Sequence, residues 1–152
     1  MVGAGPAGNN TALGLASEGY SVTVIDSRYE IGDKLCTGLI GRECADRFPI
    51  DPSFIYREPN SARLVAPGAG TLSFETAKPQ ACVVDRVAYV ASFAQRAREA
   101  GATYLLGQRV EKIISQEHGV TVITGEGSHQ ARAVVLATGF GSPLVKKAGL
   151  GT

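Results

Sequence analysis

The chain has 152 residues, of which 44% are hydrophobic and 19% are charged, and its formal net charge is +1. This composition is typical of a globular domain, and the near-neutral charge gives no electrostatic reason to expect nucleic-acid binding. No apolar run approaches the roughly 18 residues of a membrane-spanning helix, so we expect no transmembrane segment.

A glycine-rich turn opens the chain. Gly3, Gly5 and Gly8 have the G-x-G-x-x-G spacing of a dinucleotide-binding βαβ unit. In that motif the first glycine permits a tight turn, the second lets a pyrophosphate approach the backbone, and the third lets the helix pack closely. Pro6 and Ala7 would lie in the first helical turn, where free N–H groups and the helix dipole attract phosphate. The alternative interpretation is an ordinary loop before a helix, with no ligand.

The segment after this turn favours the dinucleotide interpretation. We predict a helix from about residue 7 to residue 18 and a strand over residues 21–26, which are rich in β-branched side chains. Asp26 ends that strand 18 positions after Gly8, close to the ~20 expected for an acid that binds a ribose diol. We include its neighbour Ser27 in the candidate site.

A long insert follows this first βαβ half. We predict a loop over residues 27–38, a helix over residues 39–48, and two strands over residues 61–66 and 71–76 around a Pro-Gly-Ala-Gly turn. The next strand that looks parallel begins at Thr103, 77 positions after Asp26. A simple NAD-binding half would instead continue directly into a helix and a third strand.

The second half of the chain returns to an α/β pattern. Apolar residues at helical spacing predict a helix over residues 86–100, with Asp85 as its N-cap. The expected strands lie at residues 103–106, then at 109–116, 120–124 and 129–133 as an antiparallel meander, and finally at 134–137 as a buried parallel strand.

This order of elements resembles the FAD-binding domain of the glutathione-reductase-like flavoproteins. In that superfamily a three-stranded meander replaces a crossover helix, and the last strand ends in a motif such as A-T-G. Residues 137–139 are Ala-Thr-Gly and match that ending. The resemblance implies an α/β fold, namely a Rossmann-like FAD-binding domain. It would have a parallel sheet, a three-stranded antiparallel meander, and an incomplete hairpin inserted from a substrate domain.

Within that superfamily the chain is similar to the geranylgeranyl reductase family. Residues 34–38, Lys-Leu-Cys-Thr-Gly, resemble the family's cysteine–glycine loop beside the flavin, and residues 84–86 resemble its V-D-R stretch. The arginine of that stretch contacts the cofactor, and the residue at Val110 meets the adenine end. The family usually has an acid where Thr138 stands. The candidate FAD-binding residues are Gly3, Gly5, Pro6, Ala7, Gly8, Asp26, Ser27, Cys36, Thr37, Gly38, Arg86, Val110, Ala137 and Gly139.

The resemblance also implies an activity. It implies an FAD-dependent oxidoreductase that reduces carbon–carbon double bonds of isoprenoid chains, with reduced ferredoxin or NAD(P)H as electron donor. Two alternatives stay open: a flavin monooxygenase or halogenase, which shares the same first half, and a truncated dinucleotide-binding module without activity. The catalytic residues and the family's substrate motif would lie beyond Thr152.

The cysteines and histidines suggest no metal site. Three cysteines (Cys36, Cys44 and Cys82) and two histidines (His118 and His129) match no zinc or redox spacing, and no Ser-His-Asp triad is indicated. We expect a reduced cytoplasmic chain, and membrane association of the full-length protein is left open.

Both ends of the chain suggest a longer protein. Only Met1 and Val2 precede Gly3, whereas a strand usually has about five or six residues. We therefore expect residues 1–152 to be an incomplete FAD-binding domain, in which residues 50–80 start an inserted substrate domain. We expect the chain alone to bind FAD weakly and to show no reductase activity.

Overall fold

The computed structural model describes residues 1–33 and 36–150. The chain divides into two compact units, one formed by Met1–Asp33 with Val90–Thr152 and the other by Lys34–Tyr89. Lys34 and Leu35, which belong to the cysteine–glycine loop of the sequence resemblance, lie outside the described residues.

The described residues form helices and short strands. The helices are α1 (Pro6–Ser17), α2 (Arg42–Arg47), α3 (Arg86–Glu99) and α4 (Pro143–Lys147), with a 3-10 helix at Pro52–Phe54. The strands are β1 (Thr23–Asp26), β2 (Leu39–Gly41), β3 (Ile55–Arg57), β4 (Ser61–Ala66), β5 (Gly70–Glu75), β6 (Ala81–Val84), β7 (Thr103–Leu106), β8 (Val110–Gln116), β9 (Gly119–Thr124) and β10 (Gly127–Ala131).

A parallel sheet forms the centre of the first unit. β1 pairs in parallel with β7 on one side. On its other side the N–H of Ile25 donates to the carbonyl of Met1 (2.9 Å), and the N–H of Gly3 donates to the carbonyl of Ile25 (2.8 Å). Val2 in turn pairs with Leu136. The start of the chain therefore lies in the middle of the parallel sheet.

Side-chain alternation along β1 supplies both faces of this sheet. Val24 is fully buried against Ala12 and Ala16 of α1 and Ala97 of α3. Ile25 points to the opposite face, because successive side chains of a strand alternate. It packs there in a second cluster of buried residues, whose other members are Val2, Val110 and Val122. The parallel sheet thus lies between two helices and the antiparallel meander β10-β9-β8.

The second unit is built on a small antiparallel sheet with β6 between β2 and β3. Cys82 and Val84 of β6 are buried, and the hydroxyl of Tyr89 donates to the carbonyl of Phe48 (3.0 Å). The hairpin β4–β5 forms a separate two-stranded sheet, and every residue of its two strands is exposed.

Most elements predicted from the sequence are confirmed with boundaries shifted by three residues or fewer. They include α1, β1, the hairpin β4–β5, α3, β7 and the meander. The expected α/β class, with a parallel sheet and a three-stranded antiparallel meander, is also confirmed.

Two predicted elements were wrong in part. Residues 39–41 form β2 rather than the start of a helix, because Leu39 lies opposite Val83 and β6 supplies a partner that local propensity cannot reveal. Residues 134–137 do not form a strand: only Leu136 makes an isolated bridge, to Val2. The sequence also gave no indication of β3, which pairs with the other edge of β6.

Among the described residues, none of the helices combines the length and the apolar character that a membrane crossing requires.

Two glycines of α1 make a matched pair for a stability test. A Cβ at Gly8 would collide with the carbonyl oxygen of Gly3, whereas a Cβ at Gly14 would have no described residue within 4 Å. We expect Gly8→Ala to lower the free energy of unfolding by about 1–3 kcal/mol, as overpacking does. Gly14→Ala should raise it by about 0.5–1 kcal/mol, because alanine favours helix interiors. Urea unfolding followed by circular dichroism measures both, and equal effects would contradict the close packing at Gly8.

Candidate cofactor-binding site

The three glycines of the opening turn have different surroundings. Gly3 has a φ of +105°, and a Cβ there would collide with the carbonyl of Ala137. A Cβ at Gly8 would collide with Gly3 itself. Gly5, the N-cap of α1, instead has none of the described residues within 4 Å of an added Cβ, so it faces space that they leave open. Two glycines therefore permit close packing, and the third leaves the helix N-terminus accessible.

Asp26 ties this turn to the end of β1. Its Oδ2 accepts from the N–H of Ala4 (2.7 Å), and its Oδ1 accepts from the N–H of Arg28 (2.8 Å). A carboxylate has about four acceptor positions, so these two bonds leave capacity for hydroxyl groups of a ligand. The sequence predicted only the ribose contact, and the structure adds the role of anchoring the glycine turn.

A cavity of about 180 Å³ lies next to Asp26, within the first unit. Gly3, Ser27 and Val110, three residues chosen from the sequence, line it together with Asp26. Thr138 also lines the cavity, and its buried Oγ1 has no hydrogen-bond partner among the described residues. An acid, an unsatisfied hydroxyl and the first glycine of the turn around one cavity fit the adenosine diphosphate part of a dinucleotide.

The sequence reasoning missed several residues of this region. Gln108, Arg109 and Ser142 line the same cavity. Asn9 is fully buried and holds the glycine turn from inside. A sequence signal for Asn9 existed, because it precedes Ala12 and Ala16 on the apolar stripe of α1, where a polar residue is unusual.

The cysteine–glycine loop lies in the second unit. Gly38 has a φ of +70°, and a Cβ there would be 2.5 Å from the carbonyl oxygen of Val84. The N–H of Val84 donates to the carbonyl of Gly38 (3.0 Å). Asp85 caps α3 as predicted, since its Oδ1 accepts from the N–H of Ala88 (3.0 Å). These contacts bring residues 36–38 next to residues 84–86.

The exposed thiol of Cys36 is perturbed by this arrangement. A hydrogen bond from the backbone of Gly38 is the largest effect and lowers the pKa of this thiol, and the positive charge of Arg86 lowers it further. Desolvation raises the pKa, but by less than the Gly38 bond lowers it. The buried thiol of Cys82 behaves oppositely, because desolvation and the nearby Glu58 raise its pKa.

The candidate residues thus fall into two groups, one in each unit. The first unit contains Gly3, Gly5, Pro6, Ala7, Gly8, Asp26, Ser27, Val110, Ala137 and Gly139. The second unit contains Cys36, Thr37, Gly38 and Arg86. Among the described residues, no group of three or more His, Cys, Asp or Glu side chains could hold a metal ion.

Comparison with known families identifies the class of protein. The family described as DAO, FAD dependent oxidoreductase, matches residues 37–151, which is more than half of the chain. The chain belongs to this family of FAD-dependent oxidoreductases, and its cofactor is FAD.

Individual relatives give a finer picture. Digeranylgeranylglycerophospholipid reductase 1 of Methanococcoides burtonii is 28% identical over 164 residues, covering 100% of this chain and 40% of that protein. Protein FixC of Escherichia coli O157:H7 is 33% identical over 165 residues, covering 99% of this chain and 38% of that protein. A geranylgeranyl bacteriochlorophyll reductase-like protein of Thermoplasma acidophilum has a similar structure, with a TM-score of 0.82 and 26% identity over 98% of this chain and 41% of that one. The chain therefore spans about two fifths of the length of these relatives.

The Cys36 environment can be tested by alkylation with iodoacetamide across a pH series, followed by peptide mass spectrometry. The thiolate is the reacting form, so we expect the reaction of Cys36 to begin below the usual pH range of a thiol and that of Cys82 to begin above it. Arg86→Gln should move the Cys36 profile to higher pH by only part of the shift, because the Gly38 bond is the larger cause. A Cys36 profile unchanged by this substitution would contradict the electrostatic contact.

Proposed function

We propose that this chain is the FAD-binding part of a reductase that saturates carbon–carbon double bonds of isoprenoid chains. It would belong to the geranylgeranyl reductase family within the glutathione-reductase-like flavoproteins. The observation that carries the proposal is the space that the described residues leave open at Gly5, at the N-terminus of α1, together with the cavity lined by Asp26. The substrate class is supported by the names of the similar reductases from Methanococcoides burtonii and Thermoplasma acidophilum.

The first unit would hold the adenosine diphosphate part of FAD. The N–H groups of Gly5, Ala7 and Gly8 lie in the first turn of α1, where they have no partner within the helix and would donate to the pyrophosphate. Asp26 would accept from the ribose hydroxyls, and its charge would disfavour a 2′-phosphate. Thr138 would gain a partner for its buried hydroxyl.

The remaining candidate residues would contact the flavin end of the cofactor. Cys36, Thr37 and Gly38 would lie beside the flavin, and the guanidinium of Arg86 would donate a charge-assisted hydrogen bond to the cofactor. FAD supplies hydride transfer when it is bound, and the protein directs it to the substrate. Residues 50–80 would begin the domain that binds a hydrophobic isoprenoid substrate, and reduced ferredoxin or NAD(P)H would supply the electrons.

Two measurements on the full-length protein test this function. Denaturation should release FAD, identified by chromatography, and recovery of NAD(P) without flavin would overturn the assignment. The chemically reduced protein, incubated anaerobically with a geranylgeranyl lipid, should raise the substrate mass by two hydrogen atoms for each double bond reduced. Hydroxylation or halogenation of an aromatic substrate in the presence of oxygen, without any such reduction, would favour the monooxygenase or halogenase alternative.

Gly5 allows ligand binding to be separated from folding. Threonine is about as good an N-cap as glycine, and its side chain would enter open space. We expect Gly5→Thr to leave the free energy of unfolding within about 0.5 kcal/mol but to weaken FAD binding at least tenfold, which corresponds to about 1.4 kcal/mol. FAD fluorescence quenching on the full-length protein measures the affinity, and Gly14→Ala serves as the control on the same helix. Unchanged affinity in Gly5→Thr would argue against a pyrophosphate at this position.

A further inference from the structure

Asn9 is a buried polar residue whose side-chain amide is bonded at both ends. It lies in α1 with 0% of its surface exposed. Its Nδ2 donates to the carbonyls of Ala4 (2.9 Å) and Val90 (3.4 Å), and its Oδ1 accepts from the hydroxyl of Tyr104 (3.0 Å). Because both carbonyls can only accept, Nδ2 must face them and Oδ1 must face the tyrosine.

The bond to Ala4 acts on the residue between the first two glycines of the turn. The N–H of Ala4 is held by Asp26 at 2.7 Å, and its carbonyl is held by Asn9. The carbonyl of Ala4 and the N–H of Gly5 belong to one planar trans peptide, so they point in opposite directions. A carbonyl drawn inward by Asn9 therefore turns the N–H of Gly5 away from the buried interior.

Tyr104 keeps the Asn9 amide in this orientation. The ring of Tyr104 packs against the core cluster that contains Ala12. The guanidinium of Arg98 lies over the ring, with its Cζ 4.4 Å from the ring centre. Both contacts restrict the ring, so the hydroxyl donates from a fixed position.

We infer that Asn9 is a positioning residue for FAD, which aims the N–H of Gly5 at the pyrophosphate by holding the carbonyl of Ala4. The inference rests on the proposed binding of FAD at the glycine turn. Asn9 itself does not touch the cofactor in this role. It acts through the peptide between Ala4 and Gly5.

Two substitutions of Asn9 separate this role from simple packing. Asn9→Asp keeps the size of the side chain and the acceptor for Tyr104, and in its ionised form it places an acceptor against the carbonyl of Ala4. The neutral acid could still donate there, so this variant is compared with the unmodified protein at about pH 9 as well as at neutral pH. Asn9→Ala removes the bonds and leaves a cavity. If Asn9 only fills space, the alanine variant should bind FAD more weakly than the aspartate variant. If Asn9 acts as a hydrogen-bond donor, the aspartate variant should bind FAD more weakly. Asn10→Ala, at the next position of the same helix, is the matched control.

The first readout is the affinity for FAD, measured by fluorescence quenching on full-length protein whose fold is verified by circular dichroism. We expect Asn9→Ala to bind about tenfold more weakly and Asn9→Asp more weakly still, because a buried acceptor left without a donor is costly. Asn10→Ala should bind like the unmodified protein. Tyr104→Phe, a milder variant that serves if the Asn9 variants fail to fold, should weaken binding by about twofold to tenfold.

The second readout is hydrogen exchange at the amide of Ala4 in FAD-free protein. Without FAD, the carboxylate introduced by Asn9→Asp cannot change the result by repelling the pyrophosphate. Exchange should be at least tenfold faster in both Asn9 variants and unchanged in Asn10→Ala. Normal FAD affinity and normal exchange in Asn9→Asp would overturn this inference and leave the proposed function in place. The same result in Tyr104→Phe would do so if the Asn9 variants do not fold. Failure of the unmodified full-length protein to bind FAD would overturn the proposed function and this inference with it.

Discussion

The hydrogen bond from the N–H of Ala4 to the carboxylate of Asp26 is the contact on which the site depends. At 2.7 Å it joins the glycine turn to the end of β1, two segments 22 positions apart in the chain. A hydrogen bond to a charged group contributes about 1.5–3 kcal/mol. The turn that it holds leads directly into Gly5, the N-cap of α1.

Local patterns were sufficient to predict the parts of the fold that depend on neighbours in sequence. The apolar stripe of α1, the cap at Asp85 and the glycine-bounded strands of the meander all appear in the structure close to their predicted positions. β2 was predicted as helix because its partner, β6, lies about 40 residues further along the chain. Pairing between distant segments leaves no periodic signal in the sequence.

Local sequence patterns also predicted part of the candidate site, but not the residues that depend on distant contacts. The spacing of Gly3, Gly5 and Gly8 and the acid at position 26 indicated a phosphate-binding turn, and the structure shows different surroundings for each glycine. Asn9 was not predicted, because its importance depends on Tyr104, which is 95 positions away. Thr138 could not be selected either, since burial of its hydroxyl results from the tertiary structure.

The exposed hairpin β4–β5 has a consequence for the dynamics of the second unit. Leu64 lies opposite Leu72 and Ala62 opposite Phe74, so one face of the ribbon is apolar, yet each of these side chains is exposed. Its stability therefore comes from backbone hydrogen bonds and from cross-strand pairs of about 0.2–1 kcal/mol each. Such a ribbon opens as a local unit at low free-energy cost. A protease would gain access to the chain there while the buried strand β6 remains folded.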